Sequence, residues 1–275
     1  MRVFVLVVLF ALSVFAAPTA SLDSGYRDMY NLEFDRAHQT FQEWERRHPD
    51  DPMGPVSEAA AYLFGEFERL HILQSEFFTH DESFTHGRKL SPDPDVRRNF
   101  EIAITKAGNL SARALGRNAN DINAQFAEIL RMGLHADYLA LIDKSNLPAL
   151  MEMKTGRQLA EKLEAAHPEM KDAYLAVGEE NYMLSLKPAP VRWMLRITGA
   201  ETDKAQGIQE LKLTAEGGRY LGPYARLLLA VAALRDKNPN GARALLTGLA
   251  AEFPKNRLYA EELARLQPEG MGGNK

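Results

Sequence analysis

Residues 242–256, "ARALLTGLAAEFPKN", read as a short helix closed by a Phe-Pro pair. Ala242, Leu246, Leu249 and Pro254 stand at relative positions 0, 4, 7 and 12. The first three share one face of a helix. The proline marks the end, because it disfavours helical geometry in the residue before it. The same spacing occurs in Ala37, Phe41, Trp44 and Pro49, and again in Gly156, Ala160, Leu163 and Pro168. Ala107, Ser111, Ala114 and Ala119 give a weaker copy, with alanine in place of proline. Gly207, Leu211 and Thr214 give a fifth, which ends at the helix-stop signal Gly217-Gly218. Five copies in register make the stretch a repeated unit.

Each repeated helix needs a partner before it. Twelve residues before Ala37 lies Gly25, and twelve before Ala242 lies Ala230. A small residue at both places lets the two helices of a hairpin approach closely. The middle three units are longer. Gly65 to Ala107 is 42 residues, Gly133 to Gly156 is 23, and Gly178 to Gly207 is 29. The pattern predicts an all-α stack of about five helical hairpins, with longer helices or excursions in the middle three. Such hairpins carry too much apolar face to stand alone and bury it by stacking.

The half-matches "Tyr174, Val177, Gly178, Asn181", Phe64-Gly65 and Met132-Gly133, followed by the Ala-x3-Phe-type helices above and their prolines, resemble the tetratricopeptide repeat. The resemblance covers most of the chain, and each copy is degenerate. It implies a TPR-like α-solenoid over residues 21–267 that binds a protein or peptide partner along a groove lined by the first helices of the hairpins. Tyr62, Arg69, Gln125, Arg131, Asn181 and Tyr182 are the groove candidates on that reading. With the tract "RITGAETDKAQGIQELKLTAEGGRYLGPYARLLLA", residues 196–230, ahead of the last hairpin, the segment from Gly178 to the end is also similar to exported bacterial repeat proteins of unassigned activity. That likeness implies export and a scaffold role. A last helix, roughly Asn256 to Leu266, is expected to cap an open end with a polar outer face, and residues 268–275 to form a tail.

Composition narrows the class. Of 275 residues, 45% are hydrophobic and 25% charged, and the net charge of −4 argues against nucleic acid as partner. Residues 1–20 read as a secretory signal peptide: Arg2, an apolar run from Val3 to Phe15, then Ala16, Ala17 and Ala20. Cleavage after Ala16 or after Ala20 fits. The expected destination is the periplasm or the exterior. The chain has no cysteine, which removes disulfides, thiolate metal sites and a lipid-modified cysteine anchor.

Three stretches invite chemistry. "FFTHDESFTHGRK", residues 77–89, places His80 and His86 around Asp81 and Glu82. Imidazole and carboxylate could hold a metal, but six residues is the wrong separation for two ligands on one helix. The main reading is a polar loop, with Ser91 or Asp93 capping the next helix and Pro94 in its first turn. "KPAPVRWMLRITG", residues 187–199, has an apolar face beside Arg192, Trp193 and Arg196. Core packing is the main reading there. Trp193 and Arg192 are the first candidates for a partner contact, since Trp and Arg dominate binding energetics, and a membrane surface is the lesser alternative. "GEENYMLS", residues 178–185, has adjacent Glu179 and Glu180, which on a helix point about 100° apart and so do not face one bond.

No nucleophile motif, phosphate loop or Rossmann pattern occurs. The sequence therefore leads to a non-catalytic scaffold with no assigned cofactor. A small-molecule or metal-binding protein built on the middle excursions, and an enzyme of unrecognised type, are the alternatives.

Overall fold

The computed structural model describes residues 20–73, 90–186 and 203–266. Within these lie eleven α-helices: α1 Leu22–Tyr30, α2 Phe34–Arg47, α3 Met53–Arg69, α4 Pro94–Arg117, α5 Ile122–Asp137, α6 Asn146–Ala166, α7 Tyr174–Ser185, α8 Lys204–Gly217, α9 Gly222–Arg235, α10 Pro239–Glu252 and α11 Arg257–Arg265. A π-helical turn, Tyr138–Ile142, follows α5. No strand occurs among the described residues, and none of their helices is long and apolar enough to cross a membrane. The helices pack in adjacent pairs, and α1 also meets α3, α3 meets α5 and α5 meets α7.

Two kinds of helix end recur, and both follow from the sequence. Helices α1, α3 and α9 close on a residue in the left-handed region: Leu32 (φ 61), His71 (φ 60) and Lys237 (φ 57). After each, the next N–H reaches back five residues: Glu33 to Asp28, Ile72 to Phe67, Asn238 to Ala233. This is the Schellman end, which satisfies carbonyls the helix leaves open. The π turn after α5 closes similarly, on Lys144 (φ 57).

Helices α2, α4, α6 and α10 end differently. Their caps are His48, Asn118, His167 and Phe253, and each cap N–H bonds the carbonyl four residues back. The N–H groups of Asp51, Asp121, Met170 and Asn256 then return to the four cap carbonyls, each at 3.0 Å. Pro49, Ala119, Pro168 and Pro254 directly follow the caps, so the repeat-ending position of the sequence is one physical turn used four times.

The repeated face is the buried one. Ala37 and Phe41; Ala107, Ser111 and Ala114; Gly156, Ala160 and Leu163; Gly207, Leu211 and Thr214; and Ala242, Leu246 and Leu249 are all buried. Trp44 is half-buried, and its Nε1 donates to Asp51 Oδ2 at 2.8 Å.

The small partner residues hold at three places and fail at two. A Cβ on Gly25 would lie 2.3 Å from the Phe41 ring, one on Gly178 would lie 2.9 Å from Leu211 N, and Ala230 is buried. Gly65, expected against α4, instead faces Phe34 of α2 at 3.5 Å. Gly133, expected at a close crossing, has nothing within 4 Å of where a Cβ would sit. The extra length of the middle units lies partly in α4 and α6, with 24 and 21 residues against 14 in α2, α8 and α10. The remainder includes residues 74–89 and 187–202, outside the described residues.

The expected open end is not free. Tyr30 Oη donates to Tyr220 O at 2.8 Å, Asn256 Nδ2 donates to Tyr30 O at 2.8 Å, and Lys255 N donates to Asn31 Oδ1 at 3.1 Å. The Tyr26 ring lies 4.9 Å from Tyr220, and the Tyr30 ring 5.4 Å from Phe253. Ion pairs Asp23–Arg219, Glu33–Lys255 and Glu68–Arg257 cross the same seam. Helix α11 does show an exposed polar side, Glu261 and Arg265, while Leu258 and Tyr259 are buried. One apolar core thus runs from Leu22 to Tyr259.

A residue the sequence reading passed over fastens the last two pairs. Asp172, buried just before α7, accepts from the N–H groups of Arg219, Tyr220 and Leu221 at 2.9, 3.1 and 2.8 Å. Gly218 makes room for it, since a Cβ there would stand 2.7 Å from the Asp172 carboxylate.

Candidate functional site

The six described groove candidates do not converge. Asn181 and Tyr182 are buried, 0% and 1% exposed, so neither presents a surface to a partner. Asn181 Oδ1 accepts from Asp203 N at 3.2 Å, which fixes the chain at the start of α8. Both belong to the packing between α7 and α8. Tyr62 packs its ring 4.2 Å from His38 of α2, and burial with the charge of Glu58 pushes its hydroxyl up to about 12. Arg69 forks onto Glu66 at 2.7 Å and also donates to Ser91 O, tying α3 to the chain that enters α4. Gln125 Nε2 bonds the carbonyl of Ala119 at 2.8 Å.

Arg131 belongs to an ion network between α5 and α6. It binds Glu128 at 2.8 Å and stands 4.0 Å from Glu152, which in turn lies 3.2 Å from His135. The hydrogen bond to Glu152 raises the His135 pKa, and the same bond lowers that of Glu152. Arg192, Trp193, His80 and His86 lie outside the described residues. Among the described residues no group of His, Asp and Glu gathers in a way that could hold a metal ion.

The acid geometry differs from the sequence pair. Glu180 is buried and turned to Arg157 Nε at 3.3 Å. Glu179 points elsewhere and accepts from Tyr224 Oη of α9 at 3.3 Å. Its companion carboxylate comes from α5, not from the next residue. Burial, then the charge of Glu179, pushes Asp137 well above the usual carboxylate range. Burial pushes Glu179 up to about 7. No described cation pairs with either acid, so deprotonating both within this packing is costly. The two positions were hidden from sequence reasoning because they lie 42 residues apart on different helices.

The exposed chemistry lies on the outer side of α4 and α6. Ile102, Leu147 and Met151 are 59%, 70% and 65% exposed. Ile102 sits in an open groove with Pro49, Arg98, Thr105, Asn109 and Arg113. Arg98 pairs within its own helix with Asp95 at 2.8 Å, and Lys106 at the edge pairs with Glu45. Arg113 has no described acidic partner. A helical wheel could have found this stripe: Phe100, Ala103, Ile104 and Ala107 are buried, and residue 102 stands opposite them at 100° per residue.

No protein-family model matches the sequence, and no curated protein matches it.

Proposed function

We propose that the chain is an exported, non-catalytic scaffold of tetratricopeptide type that binds a protein partner on the outer side of α4, centred on Ile102. The observation that carries this reading is the solvent-exposed isoleucine in a groove edged by Arg98 and Arg113. An apolar anchor within a polar rim is the usual anatomy of a protein contact. The arginines favour a partner segment that pairs an apolar side chain with carboxylates. The four-fold recurrence of the cap turn supports the repeat reading, and the apolar run before Ala16 supports export. Helix α7 is a poor place for the partner, because its Asn181 and Tyr182 are enclosed. No cofactor is assigned to this role.

The test is site-specific crosslinking in the native host. A photoreactive residue at position 102 should give a discrete crosslinked species, and one at exposed Glu261 should not. Equal yields at both positions, or none at 102, would refute the outer-face reading.

A further inference from the structure

The charges of α4, α5 and α6 meet around one imidazole. His135 Nδ1 of α5 stands 3.2 Å from Glu152 Oε1 of α6. Glu101 of α4 adds a second negative charge to the same ring. Arg131, one turn earlier on α5, opposes them, but Glu128 holds it at 2.8 Å and Glu152 is 4.0 Å from it. Around the ring, Glu101, Glu128 and Glu152 thus set three negative charges against Arg131, and a protonated ring supplies the second positive one.

Glu152 depends on that charge. Its Oε2 is buried and has no hydrogen-bond partner among the described residues, and 4.0 Å to Arg131 is too long for a hydrogen bond. Once the ring is neutral, Glu152 is a half-buried carboxylate with no cation in close contact, which is costly. The start of α6 has little else to hold it. Among residues 146–155, Ala149 alone is buried. Leu147 and Met151, on either side of it, are exposed.

We infer that His135 is a pH-sensitive clasp: when protonated it holds the first half of α6, residues 146–155, to α5 through Glu152, and loss of the proton loosens that segment. The bond to Glu152 and the charges of Glu152 and Glu101 raise the His135 pKa, against burial and Arg131. The folded state therefore binds this proton more tightly than the unfolded chain. The clasp is closed below the ordinary histidine range and opens as pH rises through the raised value. It does not depend on what binds the outer face of α4.

The experiment is hydrogen exchange along α6 in the full chain, with each rate divided by its intrinsic rate at the same pH. Glu152→Gln is the comparison, because it keeps the size and an acceptor and removes the charge. At pH 6 residues 146–155 should be about threefold or more better protected in the parent than in Glu152→Gln, and at pH 9 the two proteins should agree. Glu164, pushed up to about 8 by burial and then by the charges of Glu210 and Glu161, also titrates in this window, as does Glu179. Both are present in each protein, so they cancel in the comparison. NMR titration of the His135 ring in the parent is the second readout and needs no variant to fold: its midpoint should lie above that of an exposed histidine in a peptide. A midpoint at or below the peptide's, equal protection of parent and folded Glu152→Gln at pH 6, or a difference that persists at pH 9 overturns the clasp.

Discussion

Gly207→Ala puts the central helix crossing to a quantitative test. A Cβ at this position would lie 2.6 Å from Tyr182 N and 2.9 Å from Gly178 O, both backbone atoms that cannot swing aside. Ordinary contact begins near 3.4 Å, so α7 and α8 must separate by a sizeable fraction of an ångström. The crossing they would open holds Leu211, Asn181 and Tyr182, exposed by 0%, 0% and 1%. Overpacking of this kind costs about 1–3 kcal/mol. Alanine returns up to ~1 kcal/mol through its better helix propensity. The expected net loss is therefore about 1–2 kcal/mol. Gly133→Ala is the matched control. Its Cβ would meet nothing within 4 Å, so only propensity acts, and a gain of about 0.5–1 kcal/mol is expected. Urea denaturation followed by circular dichroism reads both, with midpoints moving in opposite directions at unchanged slope. A Gly207→Ala protein as stable as the parent would refute the crossing. So would a Gly133→Ala protein destabilised as much as Gly207→Ala.

Three further outcomes follow from the contacts. Asp172→Ala leaves three N–H groups of the α8–α9 turn without their acceptor, the Leu221 one buried, and should cost about 2–4 kcal/mol; a fall in Tm under 2 °C would disprove that anchoring role. Glu179 has its pKa raised from 4.5 to about 7 by burial, so the folded state holds its proton more tightly than the unfolded chain. Its contribution is full below pH 4.5 and is lost as pH rises through 7, by up to about 3 kcal/mol. Glu179→Gln should lessen, without abolishing, the fall in thermal stability between pH 5 and 8, because burial also holds Asp137 above its usual range; a parent and variant with parallel pH profiles would contradict the assignment. Arg219→Ala removes an ion pair whose side chains are 65% and 46% exposed, so its cost should stay under about 1 kcal/mol and shrink with salt; a larger loss, insensitive to salt, would mean that the seam depends on that pair.

Much of the fold was legible because two local rules repeat. The spacing 0, 4, 7 marks the buried side of α2, α4, α6, α8 and α10, and the residue at 12 marks the turn that ends four of them. Both depend on neighbours in sequence. What failed depends on neighbours in space. Gly65 faces backward onto Phe34 rather than forward, and Gly133 faces open space, because a small residue does not state which helix comes near it. The surroundings of the groove candidates were hidden for the same reason: Tyr62 packs near His38 of the neighbouring helix, Arg69 reaches Glu66 and the Ser91 carbonyl, and Arg131 meets Glu128 and Glu152. Conversely, Ile102 was legible from the helical wheel of α4, whereas the Asp137–Glu179 pairing required the packing of α5 on α7.

The contact between the two ends of the chain changes what kind of stability this array can have. In an open stack of hairpins, each unit feels only its neighbours, and stability is nearly a sum of local terms. Here the first helix is also held by the last ones. The end of α1 loses three contacts at once if the chain ends early: the Tyr30 carbonyl's bond from Asn256, the Tyr30 ring's contact with Phe253, and the Asn31 side chain's bond from Lys255. Truncation after Arg235 therefore should loosen α1, which lies more than 200 residues away in sequence. Hydrogen exchange is the direct assay, because protection at the amides that close α1 reports its local opening free energy. The amides of Asn31 and Glu33, bonded to Arg27 and Asp28 in the full chain, should exchange at least tenfold faster in the truncated protein. A sum of nearest-neighbour terms predicts no change there, since α2 and α3 are intact. Unchanged protection at Asn31 and Glu33 would mean that the seam contacts carry no weight and that the array behaves as an open one.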